Sequence, residues 1–213
     1  NQSPELQWEN YHNFTSDFPI TPGNGYLYAN RSNVTLKFSG TLYEGDGEFD
    51  LDYVENPFDA NMKGWNLKGN PFNTNATVDK EFCVISQTDE GCKIMPSTEQ
   101  TVARMQGIMV QATEAGQKVK FTAETSKDNK ASMVMNLSHN QGIVDRAIVR
   151  FANGDNMSKF QLFENTSELS IQKDNKDYAV VNTEAQGEVP VSFKAAKNGT
   201  YTLSFNTENV EIR

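Results

Sequence analysis

The chain alternates apolar and polar residues with a period of two along most of its length. The alternation is clearest at residues 34–38, 49–53, 118–122 and 201–205. Successive side chains of a strand point to opposite faces of a sheet, so this pattern predicts β-strands with one buried face. Further strands are predicted at residues 132–137, 146–151, 178–181 and 189–193.

Clusters of Gly, Asn, Asp and Lys separate the predicted strands at intervals of roughly 8–12 residues, which is typical of sandwiches and jelly rolls. We therefore predict an all-β chain, folded as an antiparallel β-sandwich or jelly roll. A length of 213 residues fits one large all-β domain or two sandwich units of about 100 residues each, and we predict two units. A change in composition at residues 125–131 divides them into an N-terminal β-sandwich at residues 1–126 and a C-terminal β-sandwich at residues 127–213.

The apolar faces of these segments define an expected core. Its members are Leu36, Phe38, Phe49, Leu51, Val134, Ile148, Phe151, Leu203 and Phe205. Pro190 lies inside the predicted strand at residues 189–193, and proline has no N–H to donate to a ladder. That strand is therefore predicted to lie at the edge of its sheet.

The net charge narrows the classes of partner. A formal charge of −9 without any basic run repels phosphate backbones, so no nucleic-acid partner is expected. The longest apolar runs, at residues 107–110 and 147–149, are too short to span a bilayer, which predicts no membrane insertion. No signal peptide opens the chain, and we interpret it as a mature or trimmed segment of a larger protein.

Two cysteines, Cys83 and Cys92, flank the turn-forming residues 87–91. The segment is predicted to be a short hairpin whose arms bring the two sulfurs together. A disulfide between Cys83 and Cys92 would fit an oxidising, extracellular compartment. Two unrelated free thiols are the alternative.

Four acids alternate with other residues from the Gly45–Gly47 turn into the predicted strand, and they would lie on one face of it: Asp46, Glu48, Asp50 and Asp52. Carboxylates next to a glycine-containing turn are ligands that calcium accepts, so a calcium site is one hypothesis. The favoured alternative is the solvated acidic face of an edge strand, which would block pairing with another sheet. No other cofactor is expected.

Aromatic residues offer a second candidate site, because their faces stack on sugar rings. Trp65, Tyr26, Tyr28 and Tyr43 are the candidates. Trp65 belongs to the segment GWNLKGNPF at residues 64–72, whose Gly, Asn and Pro residues favour a structural corner. We therefore interpret Trp65 as a core anchor and keep an exposed binding platform as the alternative.

Nothing in the sequence marks a catalytic centre, and we predict that the chain is not an enzyme. It has only two histidines, His12 and His139, without metal-ligand spacing. No glycine-rich phosphate loop follows a strand, and no nucleophile elbow is present. A glycosidase pair among the 28 acids is the remaining enzymatic alternative, and it would make the chain a glycan-active hydrolase.

Several motifs in a fixed order resemble a known family. They are PGNGYLY at residues 22–28, VTLKFSG at 34–40, GWNLKGNPF at 64–72, GIMVQA at 107–112, DRAIVRF at 145–151, KF at 159–160 and DYAVV at 177–181. In this order they resemble the β-rich region of large surface and secreted proteins of Bacteroidetes-type bacteria. The resemblance covers residues 20–205. This chain departs from the pattern at residues 103–106, which read ARMQ instead of ending in proline–glycine.

The resemblance implies a function and a location without supplying catalytic residues. Members of that family are non-catalytic modules of cell-surface or secreted proteins, often next to adhesins, proteases or glycan-active proteins. They typically lie upstream of a sorting domain for type IX secretion. We therefore expect an extracellular or cell-surface module with an adhesion or spacer role, for which a host or cell-surface glycan or protein is the expected partner. A carbohydrate-binding module is the alternative.

Overall fold

The computed structural model describes residues 19–29, 31–54, 62–123, 130–161, 165–184 and 187–210. These residues form fifteen β-strands and contain no α-helix, which confirms the all-β prediction. Within those ranges no helix is long and apolar enough to cross a bilayer. The predicted boundary between residues 126 and 127 lies outside the described residues, and the division into two sandwich units stays a prediction.

The strands form three sheets. The first sheet contains, in spatial order, β1 (Glu48–Asp50), β8 (Lys118–Ala123), β3 (Ala76–Val78) and β6 (Thr101–Val102). The second contains β2 (Trp65–Gly69), β7 (Gly107–Gln111), β4 (Phe82–Thr88) and β5 (Gly91–Pro96). The third contains β14 (Val191–Lys194), β12 (Glu168–Lys173), β13 (Lys176–Asn182), β10 (Gly142–Arg150), β9 (Ser132–His139) and β15 (Tyr201–Glu208), and β11 (Met157–Ser158) also pairs with β13.

Most pairings are antiparallel, and β10 with β13 is a parallel pair. Strand β14, which directly follows Pro190, lies at the edge of the third sheet as predicted.

The second sheet is buried on both faces. On β7, Ile108 and Val110 pack with Phe121 of the first sheet. Met109, which points to the opposite face, packs with Ile148 of the third sheet. The apolar run at residues 107–110 is therefore explained by a strand that contacts a neighbouring sheet on each side.

The predicted core is confirmed at Leu51, Val134 and Ile148, which are buried, while Phe49 packs against the first cluster from its margin. It is wrong at the rim of the third sheet. Leu203 is 41% exposed and Phe205 57% exposed on the edge strand β15, and Phe151, just beyond β10, is 43% exposed. Alternation identifies an apolar face without stating whether another layer covers it.

The predicted strand at residues 34–38 is also wrong. These residues form no ladder, and Leu36 and Phe38 are 49% and 56% exposed. The chain pairs earlier, where Gly25 N donates to Leu67 O (3.1 Å) and Gly69 N donates to Gly23 O (3.1 Å) along the edge of β2. An alternating segment becomes a strand only where a neighbouring backbone supplies its hydrogen bonds.

The segment at residues 64–72 is a corner fixed by its asparagines. Asn66 is buried, and its side chain accepts from Asp52 N (2.9 Å) and donates to Asp52 O (2.9 Å). Asn70 Nδ2 donates to Thr74 O (2.8 Å), while its Oδ1 accepts from Phe72 N (3.0 Å). These bonds connect β2 to chain segments on either side of it, as the corner interpretation requires.

Candidate functional site

The four aromatic candidates do not form one platform. Trp65 is 8% exposed and stacks on Phe160 with ring centroids 4.7 Å apart, so it is a core residue. Tyr43 packs beside Phe49 (5.7 Å between centroids) and its hydroxyl accepts from Gly47 N (3.2 Å). Tyr26 and Tyr28 are 38% and 53% exposed.

The acidic candidates form an exposed strand edge. Strand β1 is the outermost strand of its sheet, with Glu48 and Asp50 exposed, which matches the predicted solvated edge. Glu48 Oε1 lies 2.8 Å and Asp50 Oδ1 3.8 Å from Lys118 Nζ, while Asp46 Oδ1 accepts from Glu48 N (3.1 Å). Asp52 is bound through its backbone to Asn66. Across the described residues, no three His, Cys, Asp or Glu side chains are placed to hold a metal ion.

The predicted hairpin is present, but the predicted disulfide between Cys83 and Cys92 is wrong: both thiols are free. The register places Cys83 opposite Pro96 and Cys92 opposite Gln87. The two cysteines are thus four residues apart along the hairpin, or about 13 Å at the rise of a strand, and a disulfide needs Cα atoms within about 7 Å. Without this disulfide, the two cysteines give no support for an oxidising, extracellular compartment.

This arrangement predicts unequal reactivity of the two thiols. Cys83 is buried against Met157, and burial raises the pKa of its thiol, whereas Cys92 is partly exposed. Thiolate is the reactive form, so we expect a maleimide to label one thiol, Cys92, in the folded protein and both in denaturant. Mass spectrometry of the labelled peptides measures this. No labelling in denaturant without a reductant would contradict the free thiols.

A cluster of buried charged side chains lies between the second and third sheets. Asp145 on β10 is 0% exposed, and its Oδ2 lies 2.6 Å from Lys159 Nζ and 3.5 Å from Lys93 Nζ of β5. The same oxygen accepts from Leu169 N (2.7 Å), at the start of β12. A register shift between Ile143 and Asp145 interrupts the ladder of β10 with β9 at this point. A shift of this kind re-aims a side chain, here towards the neighbouring sheet.

This buried ionic cluster of Asp145, Lys159 and Lys93 contains two lysine side chains for one carboxyl group. Lys93 donates to Ser167 O (2.7 Å) and Thr166 Oγ1 (3.2 Å), and Lys159 donates to Arg146 O (3.3 Å). Burial lowers the pKa of Lys93; the Asp145 charge opposes this shift and the Lys159 charge adds to it. The cluster therefore holds a lysine that gives up its proton more readily than an exposed lysine.

A second polar cluster surrounds Glu90, in the turn between β4 and β5. Its side chain is 1% exposed. Its Oε2 accepts from Ser167 N (2.6 Å), and its Oε1 accepts from Ser167 Oγ (2.9 Å) and from the Tyr201 hydroxyl (3.1 Å). His139, whose ring stacks on Tyr201, places Nδ1 3.5 Å from Oε1. One carboxylate thus connects the hairpin turn to β9, to β15 and to Ser167, which directly precedes β12.

The Glu90 cluster makes stability depend on pH. Burial raises the pKa of Glu90, but the hydrogen bonds from Ser167 and Tyr201 and the His139 charge outweigh it, so the net pKa lies below the ordinary 4.5. A lowered folded pKa means that the contribution is complete above 4.5 and is lost as the pH falls through the folded value. We expect Glu90→Gln to lose about 1–3 kcal/mol of unfolding free energy at neutral pH.

Urea unfolding of the wild type and of Glu90→Gln across the acidic range measures that loss. The difference between the two proteins should shrink on acidification. Glu184→Gln, a change at an exposed acid, is the matched control and should follow the wild type. A difference in unfolding free energy that stays constant at every pH would contradict the lowered pKa of Glu90.

A third buried acid, Glu81, joins the second sheet to the end of β10. Its Oε2 lies 3.4 Å from Arg150 Nε and its Oε1 3.4 Å from Lys130 Nζ. A cleft of about 280 Å³ opens beside it. On the wall of the cleft Asn182 Nδ2 donates to Asp155 O (2.6 Å), so this amide already bonds the protein.

These buried acids and their lysine partners were not predicted from the sequence as a site. A signal was present: Asp145 is the one acid within the apolar run at residues 143–149, and Lys93 directly precedes Ile94 and Met95. Arg146 follows Asp145 directly, and charged residues inside an otherwise apolar strand are seldom fully buried without a partner. Nothing in the sequence indicated that β5 and β10 would meet.

Comparison of the chain with protein-family models, with curated proteins and with solved structures found no match in any of the three. The resemblance to the Bacteroidetes-type region therefore stays a prediction from the motifs.

Proposed function

We propose that the chain is a non-catalytic, extracellular β-sandwich module of a bacterial cell-surface or secreted protein, with an adhesion or spacer role. The supporting observation is the placement of the buried acids. Glu90 bonds Ser167 and Tyr201 across 77 and 111 residues of sequence, and Asp145 bonds Lys159 and Leu169. These carboxylates connect distant strands of the chain, so they support a structural role, as the spacer reading of the proposal expects.

Asp145 and Glu90 are also poorly placed to act on a substrate. The side chains of Asp145 and Glu90 are 0% and 1% exposed, so neither faces solvent. A catalytic acid has to come within hydrogen-bond reach of the group that it protonates. Their hydrogen bonds instead end on protein atoms, which favours a structural role for them.

Incubation of the folded protein with panels of glycans, peptides and esters tests the proposal. We expect no turnover above the background of a heat-denatured sample. If the module acts in adhesion, the protein should also bind saturably to bacterial or host surface material. In the spacer case, pulling on both termini should give a high unfolding force that falls in Glu90→Gln. Turnover that is abolished by one carboxylate substitution would overturn the proposal and favour a glycan-active hydrolase.

Two exposed aromatic residues favour a second candidate function, carbohydrate binding. Tyr26 and Tyr28 keep 38% and 53% of their surface exposed, and tyrosine faces are suited to stacking on sugar rings. On a glycan array, a double Tyr26→Ala, Tyr28→Ala variant should lose any glycan that the wild type retains. Tyr43→Phe, which keeps the ring packed against Phe49, is the matched control. Unchanged retention by the double variant would exclude this surface.

A further inference from the structure

The buried ionic cluster places an amine and a carboxyl group in direct contact away from water. Lys159 Nζ lies 2.6 Å from Asp145 Oδ2, with the two side chains 3% and 0% exposed. Water normally prevents the condensation of such groups, both by solvating the charges and by hydrolysing the product. We propose that Lys159 and Asp145 condense to an intramolecular isopeptide bond, with Lys93 as the group that transfers the proton.

The hydrogen bonds distinguish the two lysines. Lys93 Nζ is bound by Ser167 O and Thr166 Oγ1 in addition to its 3.5 Å contact with Asp145. Lys159 makes the shorter contact with the carboxylate and otherwise donates to Arg146 O at 3.3 Å. Lys93 is therefore held beside the reacting groups, while Lys159 is the amine directed at Asp145.

The two oxygens of Asp145 have different surroundings. Oδ2 receives Lys159, Lys93 and the N–H of Leu169 (2.7 Å). Oδ1 is buried and has no hydrogen-bond partner among the described residues. Donors stabilise the negative charge that collects on a departing oxygen. Oδ2 is thus the oxygen that leaves as water, and Oδ1 becomes the carbonyl oxygen of the amide.

The step balances without an added reagent. The step starts from the form of the cluster in which Lys93 is a neutral amine. The Lys159 ammonium passes one proton to Lys93, and the freed lone pair attacks Cγ of Asp145. The Cγ–Oδ2 bond breaks with its electron pair on Oδ2, which takes one proton from Lys93 and one from the attacking nitrogen. The products are a secondary amide and one water molecule, and Lys93 returns to its starting state.

Burial favours each part of this reaction. Burial lowers the pKa of Lys93, so this amine returns a proton to the reacting groups more readily than an exposed lysine would. The amide replaces a buried ammonium and a buried carboxylate by one neutral group, so the cost of keeping two charges out of water is removed. The bond would join β10 covalently to the segment that follows β11, independently of any adhesion or spacer role.

Mass spectrometry of the denatured wild-type chain tests the proposal directly. We expect the protein that has folded to be lighter than its sequence by one water molecule. Trypsin should then give a branched peptide that joins residues 131–146 to residues 151–173, since an acylated Lys159 resists cleavage. The full sequence mass in folded wild type after prolonged incubation would overturn the proposal, as would a lost water without the branched peptide.

Variants assign the roles. Lys159→Arg keeps the charge but cannot form this bond, so it should retain the full mass. Lys176→Arg, at the exposed first residue of β13, is the matched control and should lose the water. Lys93→Met should slow the mass loss relative to the wild type, and an unchanged rate would remove Lys93 from the mechanism. Because the wild-type measurement needs no variant, poor folding of Lys159→Arg leaves the test intact.

Discussion

Asp145→Ala should lower the free energy of unfolding by about 3–5 kcal/mol, the usual cost of removing one partner from a buried ion pair. The substitution leaves Lys93 and Lys159, whose side chains are 1% and 3% exposed, without their carboxylate. It also leaves Leu169 N without its acceptor. The loss follows from these buried groups alone, and an isopeptide bond at the same carboxyl would increase it.

Urea unfolding at neutral pH measures this loss, provided that the folded baseline of the variant is preserved. Glu184→Ala removes an exposed acid and should change stability by no more than about 0.5 kcal/mol. If Asp145→Ala were no more destabilising than Glu184→Ala, the assigned contacts would be incorrect.

Trp65→Ala should also cost about 3–5 kcal/mol, because it removes a large aromatic ring from a packed interior. The ring is 8% exposed, stacks on Phe160 and belongs to the cluster between the second and third sheets. The buried Nε1 of the indole has no hydrogen-bond partner in the part of the chain that the structure describes, so its removal offsets a small part of this loss. An unpaired buried N–H destabilises the folded state.

Trp65→Phe is the matched control for this substitution. It keeps an aromatic ring on Phe160 and removes the unpaired N–H, so its loss should be much smaller than that of Trp65→Ala. Thermal unfolding followed by circular dichroism compares the two variants. Equal losses would mean that Trp65 contributes through its indole nitrogen or through a ligand, and would reopen the exposed-platform alternative.

The strands were predictable where alternation or a continuous apolar run coincides with a backbone partner. Residues 118–122, 132–137 and 178–181 all lie in strands, as do residues 146–150 and 201–205. Pro190 marked an edge strand because its missing N–H is a local property. Local sequence therefore determined much of the β structure.

Features that depend on register or on distant partners were not predictable. The hairpin at Cys83 and Cys92 was recognised, but its register separates the sulfurs. Residues 34–38 alternate as well as any strand, yet no ladder forms there. The contact of Asp145 with Lys93 joins residues of different sheets, and neither periodicity nor spacing encodes such a contact.

The double burial of the second sheet also has a consequence for synthesis of the chain. The four strands of this sheet lie within residues 65–111, and they leave the ribosome before residues 132–208, which supply the third sheet. Until then Cys83, Ile94 and Met109 lack the cover that they share with Val134 and Ile148. A nascent chain in that interval presents an open apolar sheet face, which favours association with other chains. The third sheet, which is synthesised later, thus covers an apolar face that the second sheet would otherwise expose to solvent.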